Sequence, residues 1–301
     1  MAEAQTVLLT GATGFLGSHL ARACLTAGYA VAALKRRGSR LNRLGDAAHR
    51  IRWFDVDDGV EAPFRACGPI AAVIHTATCY GRQGETPPQV FEANTAFPLR
   101  LLEAATFFNT DTFFNTDTFF NTETILYKYL NAYALSKNHF TEWGQSYGDA
   151  GRIRFLNLRL EHMYGPGDDA SKFTTHVIRC CLANAPELRL TPGEQKRDFI
   201  YIDDVVAAYQ LLLQKHLELP PAFTQYGLGT GQAVRIRDFV ERVHRLSQSR
   251  TELKFGALAY RDGEIMESAA DTAGLQALGW TPQFTLDDAL QTTLARESSS
   301  S

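Results

Sequence analysis

A glycine-rich segment near the amino terminus constrains the fold more than any other feature of this chain. Residues 10–17 read TGATGFLG, and they follow a short apolar run at residues 6–9. Residues 18–27 then read as a helix that ends at Gly28. Glycines at positions 11, 14 and 17 permit a tight turn and let the backbone approach a pyrophosphate at the helix amino terminus. The segment therefore predicts a strand–turn–helix unit that binds a dinucleotide.

The rest of the amino-terminal half alternates between strand-like and helix-like patterns. Strands are predicted at 29–34, 51–54, 71–74, 113–115 and 153–158, and helices at 92–105, 133–147 and 205–215. This alternation predicts an α/β fold with a Rossmann-type, doubly wound parallel sheet. Residues 1–165 plus about 203–230 are predicted to form the dinucleotide-binding domain. Residues from about 166–202 plus 231–297 are predicted to form a smaller carboxyl-terminal, substrate-binding lobe, and 298–301 a disordered tail.

Composition excludes several classes of function. The 301 residues are 45% hydrophobic and 21% charged, with a formal net charge of −3, so no basic surplus points to nucleic acid. Five cysteines with no C-x-x-C pair argue against a disulfide framework or a zinc site, and no metal is expected. No apolar run is long enough to span a bilayer, and the first residues lack the pattern of a signal peptide. We therefore expect a cytoplasmic protein that does not bind membranes.

The end of the second predicted strand indicates which dinucleotide is bound. Enzymes that use NAD usually carry Asp or Glu there, which bonds the ribose hydroxyls. This chain instead has Lys35, Arg36 and Arg37. Three cations favour the additional phosphate of NADP(H).

A tyrosine and a lysine four positions apart suggest the chemistry. Tyr133 and Lys137 share one face of a predicted helix, so both side chains reach the same pocket. A nearby ammonium stabilises a phenolate and so lowers the pKa of a tyrosine. The pair predicts transfer of a proton to or from a carbon–oxygen centre, coupled to hydride transfer by a nicotinamide.

Five ordered motifs extend over nearly the whole chain. Besides TGATGFLG and the Tyr133–Lys137 pair, they are RLEHMYGPGD at 159–168, RDFIYIDDV at 197–205 and LGWTP at 278–282. In these motifs the chain resembles the extended short-chain dehydrogenase/reductase family of nucleotide-sugar epimerases, dehydratases and reductases. Segments 115–120, 159–162, 193–199 and 261–266 are most similar to the sugar 4-ketoreductases of that family.

The resemblance implies a catalytic Ser or Thr at the end of the fifth strand. Here the chain repeats itself, with FFNTDT at 107–112 and 113–118 and FFNTET at 119–124. The candidates are Thr110, Thr116 and Thr122. Thr116 follows the predicted fifth strand and stands seventeen positions before Tyr133, so we predict that Thr116 is catalytic together with Tyr133 and Lys137.

Residues elsewhere in the chain are also predicted to bind the cofactor or the substrate. Besides the glycines, the cations and the tyrosine–lysine pair, the residues predicted to bind the cofactor are Thr13, Phe15, Leu16, Asp55, Val56, His75, Thr76, Ala77, Asn94, Leu160 and His162. The residues predicted to bind a nucleotide-diphosphate sugar are Tyr80, Asp117, Thr118, His162, Lys172, Arg197 and Arg261. A homodimer formed through the helices at 92–105 and 133–147 is expected.

Three functions remain open at this point. The first is NADPH-dependent reduction of the C4 ketone of a CDP- or dTDP-linked 4-keto-6-deoxy or 3,6-dideoxy hexose. The second is an epimerase or dehydratase with retained NAD, which the three cations disfavour. The triplet Thr116-Asp117-Thr118 also disfavours dehydration, because the dehydratases of the family resemble Thr-Asp-Glu there. The third is a dinucleotide-sensing protein without turnover.

Overall fold

A computed structural model describes residues 4–110 and 117–299 of the chain. In this part of the chain the strands, in order, are β1 (Thr6–Thr10), β2 (Ala30–Lys35), β3 (Ile51–Asp55), β4 (Ile70–His75), β5 (Thr118–Thr124), β6 (Arg154–Leu160), β7 (His162–Tyr164), β8 (Glu187–Leu190), β9 (Lys196–Tyr201), β10 (Phe223–Leu228), β11 (Ala233–Arg235) and β12 (Glu252–Phe255).

The helices are numbered in the same way along the chain. They are α1 (Phe15–Thr26), α2 (Ala62–Cys67), α3 (Pro87–Phe91), α4 (Phe97–Thr110), α5 (Ala132–Asp149), α6 (Phe173–Leu182), α7 (Ile202–Lys215), α8 (Ile236–Leu246), α9 (Ala273–Ala277) and α10 (Leu286–Ser298). A π-helical turn, Glu92–Ala96, joins α3 to α4, and short 3₁₀ segments occupy Asn42–Arg50, Val56–Asp58 and His216–Glu218.

Seven strands form the central sheet, in the order β10-β6-β5-β4-β1-β2-β3. Strand β1 pairs in parallel with β2 and β4, β2 with β3, and β4 with β5. The strand order reverses between β1 and β4, as in a doubly wound sheet, and ligands of such sheets bind where the order reverses. The predicted fold class is confirmed.

The described residues divide into two compact units. The first contains the described residues up to Arg159 together with Val206–Tyr226, and the second contains Leu160–Val205 and the described residues from Gly227 onward. Within the second unit, β11, β9 and β7 form one small sheet and β12 and β8 another. No helix in the described ranges is both long and apolar enough to cross a membrane.

The position of the fifth strand differs from the sequence prediction. Residues 113–115 lie outside the described residues, and the strand that pairs with β4 is the third copy of the repeat. Its two phenylalanines face opposite sides of the sheet: Phe119 stacks on Phe155 at 5.4 Å, whereas Phe120 packs beside Tyr209. Burial of both rings fixes this copy in the sheet.

The first copy of the repeat belongs partly to a helix rather than to the predicted loop. Phe107 and Phe108 lie in the last turns of α4, and Phe108 stacks on Phe64 at 5.6 Å. The predicted tail is also wrong at its start. Ser298 ends α10, and its hydroxyl donates to the Leu294 carbonyl, so the helix continues past the predicted boundary. Residues 300 and 301 lie outside the described residues.

Candidate active site

The glycine turn has no room for larger residues. Gly11 has φ +76°, and a Cβ there would lie 2.6 Å from the Ala77 nitrogen. A Cβ on Gly17 would lie 2.1 Å from the Gly11 carbonyl oxygen. Gly14 is the N-cap of α1 and offers no capping side chain, and the first turn carries no acidic residue. The first backbone N–H groups of α1 therefore suit an anion such as a pyrophosphate, and the residues present fit a dinucleotide.

The other residues of the turn contribute in different ways. Thr13 is half-buried, and Leu16 is buried in the core beneath the turn. Phe15 packs edge-on against His19 at 5.2 Å. Direct contact with a cofactor is therefore open to Thr13 and Phe15 and to the backbone of Leu16.

The three cations after β2 are not equivalent. The Lys35 ammonium lies 2.7 Å from an Asp55 carboxylate oxygen, because the sheet register places these two residues side by side. Arg37 is 72% exposed and lies 3.9–4.0 Å from the carboxylates of Asp58 and Asp55. Arg36 is exposed as well. One cation is thus neutralised at close range, and two guanidinium groups remain at the surface beside half-buried Val56 and Asp55.

Tyr133 and Lys137 lie in the first turns of α5. The helix begins at its N-cap Asn131, whose side chain accepts a hydrogen bond from the Ala134 nitrogen at 2.8 Å. Lys137 is 2% exposed, and burial lowers its pKa to about 8, although the carboxylate of Glu123 opposes this shift. Tyr133 is half-buried, and burial raises its pKa well above the ordinary value.

Thr124, the last residue of β5, provides the hydroxyl beside Tyr133. Its side chain acts on Tyr133 and lowers the pKa of the phenol, and its hydroxyl oxygen accepts a hydrogen bond from the Leu126 nitrogen at 3.2 Å. Thr116, the predicted catalytic threonine, lies outside the described residues. The sequence analysis did not consider Thr124, although it ends the third copy of the repeat and stands nine positions before Tyr133. If the third copy of the repeat had been assigned to the fifth strand, Thr124 at its end would have been identified as the candidate hydroxyl.

The structure does not bring Asp117 and Thr118 to this site. Thr118 begins β5, is fully buried, and accepts a hydrogen bond from Arg154 at 3.3 Å. The Asp117 backbone carbonyl accepts from the Arg154 nitrogen. Thr118 and Thr124 lie six positions apart at opposite ends of β5, which corresponds to about 20 Å along the strand.

Asn94 ties the loop after β4 to α5. Its amide nitrogen donates to the Cys79 carbonyl at 2.8 Å and to the Ser136 hydroxyl at 3.0 Å. Its amide oxygen accepts from the Cys79 nitrogen at 2.8 Å. Asn94 belongs to the π-helical turn, a feature that is frequent at functional sites. Since Ser136 precedes Lys137, this network fixes the helix that carries the lysine.

His75 is a packing residue. Its side chain is fully buried, and Nδ1 lies 2.7 Å from the Thr10 hydroxyl. Burial and the charge of Lys137 hold the pKa of His75 well below the ordinary value, so the ring is neutral. Thr76 donates from its hydroxyl to the Thr10 carbonyl, and the backbone of Ala77 faces Gly11. Any contact of His75 with a cofactor would come from its backbone.

An aromatic and an arginine from the loop after β4 lie against Tyr133. The rings of Tyr80 and Tyr133 are 5.0 Å apart, and the Arg82 guanidinium lies over the Tyr80 ring at 4.9 Å. The positive charge of Arg82 lowers the pKa of Tyr133, whereas Tyr80 raises it. Tyr80 was predicted from the sequence and Arg82 was not.

Within the second unit, several predicted residues are already paired. Lys172 lies 2.9 Å from the buried Asp168, and Arg197 is hydrogen-bonded to Glu264. His162 lies 3.1 Å from Glu161. Arg261 is exposed in a turn, and Leu160 is the first residue of the unit. Of the predicted diphosphate ligands, the structure therefore leaves Arg261 the more accessible.

Comparison with known sequences identifies relatives over most of the chain. The family described as "NAD dependent epimerase/dehydratase family" matches residues 7–224. The CDP-abequose synthase of Salmonella typhimurium is 36% identical over 294 residues, which cover 96% of this chain and 97% of that protein. The GDP-6-deoxy-D-mannose reductase of Pseudomonas aeruginosa is 25% identical and covers 97% of this chain and 96% of its own length.

Solved structures share the fold. The UDP-glucose 4-epimerase of Thermotoga maritima has a TM-score of 0.83 at 19% identity and covers 97% of this chain and 98% of its own. The UDP-glucose 4-epimerase of Thermus thermophilus, solved with NAD, has a TM-score of 0.80 at 23% identity, with the same coverage. These similarities agree with the fold described above.

Proposed function

The chain belongs to the NAD dependent epimerase/dehydratase family, and from this premise we propose that it is an NADPH-dependent nucleotide-sugar 4-ketoreductase. Its substrate would be a CDP- or dTDP-linked 4-keto-6-deoxy or 3,6-dideoxy hexose. The observation that carries the proposal is the placement of Tyr133 and Lys137 one helical turn apart on α5, with Thr124 at the end of β5 acting on the Tyr133 phenol.

Tyr133, Thr124 and Lys137 have different roles in the proposed reaction. When bound, a reduced nicotinamide would supply the hydride to the ketone carbon. Tyr133 then gives its proton to the oxygen that becomes the hydroxyl, and Thr124 hydrogen-bonds that oxygen while its charge develops. The ammonium of Lys137 stabilises the phenolate left on Tyr133. Burial raises the pKa of Tyr133, so the phenol is protonated at neutral pH before it donates.

We propose NADP(H) rather than NAD(H) from the surface after β2. Arg36 and Arg37 are exposed there, and a guanidinium matches the geometry of a phosphate. Lys35 contributes less, because Asp55 already neutralises its charge.

The substrate class rests on the relatives and on one buried carboxylate. The names of both curated relatives refer to nucleotide-linked sugars. Dehydration needs a base that reaches the sugar. Glu123 precedes Thr124, but it is 4% exposed and its carboxylate accepts a hydrogen bond from Asn157 at 2.6 Å. A reductase needs no such base, so the buried position of Glu123 favours reduction over dehydration.

One observation keeps an epimerase with retained NAD as the second candidate. The Lys35–Asp55 pair reduces the surplus of positive charge at the end of β2, which weakens the preference for a second phosphate. An epimerase would use the same tyrosine and lysine.

A homodimer is proposed from the exposed face of α3 and α5. Phe91 and Trp143 are 47% and 48% exposed on these helices. Apolar rings of this size at the surface are typical of protein–protein interfaces.

The first experiment mixes the purified protein with NADPH and, in separate reactions, with CDP- and dTDP-linked 4-keto-6-deoxy sugars, while the absorbance of the reduced nicotinamide is followed. NADH replaces NADPH in one control, and the Tyr133→Phe variant replaces the wild type in another. Oxidation of NADPH with one sugar, absent in the variant, would support the proposal and name the nucleotide. No oxidation with any sugar, together with NAD that copurifies with the protein, would overturn it in favour of the epimerase.

A further inference from the structure

A π-helical turn packs against the helix that carries Tyr133 and Lys137, and the acid–base steps described above make no use of it. The turn spans Glu92–Ala96 and lies between α3 and α4. Two consecutive residues of the turn, Asn94 and Thr95, are only 0% and 2% exposed. Buried polar groups need hydrogen-bond partners, so the partners of these two side chains show what the turn holds in place.

Both side chains are hydrogen-bonded to Ser136 of α5. The Asn94 Nδ2 donates to the Ser136 hydroxyl at 3.0 Å, and the Thr95 hydroxyl donates to the Ser136 backbone carbonyl at 2.8 Å. In a regular α-helix consecutive side chains point about 100° apart. A π-helical turn bonds residue i to i+5, so it holds more residues and consecutive side chains diverge less. The turn thus directs two adjacent side chains at one residue of α5.

Ser136 belongs to the part of α5 that joins Tyr133 to Lys137. Its hydroxyl donates to the Tyr133 carbonyl at 3.0 Å, and Lys137 is the next residue. Asn94 contacts the side chain of Ser136, whereas Thr95 contacts its main chain, which determines how this part of the helix is rotated about its axis. A threonine inside a helix often bonds a carbonyl of the preceding turn of the same helix. The hydroxyl of Thr95 donates to a different helix.

We propose that Thr95 is a positioning residue of the reductase, because its hydroxyl fixes the backbone of Ser136 and with it the orientation of the tyrosine–lysine pair. The inference rests on the proposed function and extends it. Rates fall steeply when a reacting group is misplaced by as little as about 1 Å. Loss of the Thr95 hydroxyl should therefore lower the rate more than it lowers the affinity for a cofactor that is held by the glycine turn.

The first test removes the hydroxyl and keeps the shape of the side chain. In Thr95→Val we expect kcat for ketone reduction to fall about tenfold, whereas the KM for NADPH should change less than about twofold. Thr95→Ser keeps a hydroxyl that can donate to the same carbonyl, so its kcat should lie within about twofold of wild type. A kcat of Thr95→Val equal to that of wild type would overturn the proposal, as would a serine variant as slow as the valine variant.

Thr106 of α4 provides the matched control. It is 4% exposed, and its hydroxyl donates to the Glu103 carbonyl of its own helix at 2.9 Å. Thr106→Val therefore removes a buried hydroxyl without removing a bond to α5, and its kcat should equal that of wild type. Equal losses of kcat in Thr95→Val and Thr106→Val would contradict a positioning role, because any buried hydroxyl would then have the same effect.

A readout without turnover separates this inference from the proposed function. Backbone amides exchange hydrogen through local opening, so the loss of a bond that holds a helix speeds their exchange. In Thr95→Val the amides of residues 133–140 should exchange about two- to tenfold faster than in wild type, and in Thr106→Val they should not. If no sugar is reduced but exchange differs in this way, the proposed function fails while the hold of Thr95 on α5 stands. Unchanged exchange in Thr95→Val would overturn that hold.

Discussion

The side chain of Thr124, the last residue of β5, acts on that of Tyr133, the second residue of α5, and lowers the pKa of its phenol. The end of a strand and the start of the next helix thus converge on one phenol. Parallel strands place their carboxyl ends at the edge of the sheet where ligands bind. The two side chains therefore lie where the fold would place an active site.

Replacement of Thr124 tests its role against that of Thr116. We expect Thr124→Val to lower kcat for ketone reduction by about 10²–10³-fold, the usual cost of losing one donor to a developing oxyanion. Thr124→Ser keeps the hydroxyl and should retain most of the activity. Steady-state rates at saturating NADPH would measure both.

Thr116→Val is the informative comparison, because the sequence alone pointed to Thr116. Wild-type activity in this variant would support the assignment to Thr124. A loss of activity as large as that of Thr124→Val would instead return the catalytic role to Thr116.

Local patterns predicted the fold class, the glycine turn and the helix that carries Tyr133 and Lys137. The spacing of Gly11, Gly14 and Gly17 encodes the turn within seven residues, and Tyr133 and Lys137 are brought together by one helical turn. The register of β5 could not be predicted in this way, because three nearly identical copies compete for one position in the sheet. Contacts distant in sequence select the third copy, above all the stacking of Phe119 on Phe155.

The exposed arginines after β2 should determine cofactor preference. We expect Arg36→Ala and Arg37→Ala each to raise the KM for NADPH about tenfold, as loss of a hydrogen bond to a charged group implies. The KM for NADH should change little, since that cofactor lacks the second phosphate. Arg40→Ala is the matched control, and Arg40 is exposed beyond the turn. Equal effects on NADPH and NADH would contradict a role in phosphate recognition.

Removal of Arg82 should weaken proton donation by the Tyr133 phenol without unfolding the protein. The guanidinium lies over Tyr80 and lowers the pKa of Tyr133. Arg82→Ala should therefore raise that pKa and, because a poorer phenolate forms after proton donation, lower kcat about tenfold. Arg52→Ala is a suitable control, because Arg52 also lies over an aromatic ring, that of Phe54 at 5.5 Å. Equal kcat values for the two variants would show that Arg82 has no special role.

The glycines of the turn should differ in their tolerance of a methyl group. A Cβ on Gly17 would overlap the Gly11 carbonyl oxygen at 2.1 Å, whereas a Cβ on Gly14 would lie 3.2 Å from the same oxygen. Gly17→Ala should thus displace the turn and weaken NADPH binding by more than tenfold, at a cost of at least 1.4 kcal/mol by the affinity relation. Gly14→Ala should bind more tightly than Gly17→Ala in a fluorescence titration. The reverse order would show that the turn does not hold the cofactor as proposed.

The pH dependence of wild type should report the protonation of Lys137. Its pKa is about 8, lowered by burial, so the ammonium is present below that pH and is lost as the pH rises through it. The phenolate formed on Tyr133 then loses its stabilising charge, and kcat/KM for ketone reduction should fall above about pH 8. In Lys137→Arg the cation persists at every accessible pH, because a guanidinium does not lose its proton in this range. The activity that Lys137→Arg retains should therefore show no decline in kcat/KM near pH 8. If kcat/KM of this variant still falls above pH 8 as in wild type, a group other than Lys137 is responsible for the decline.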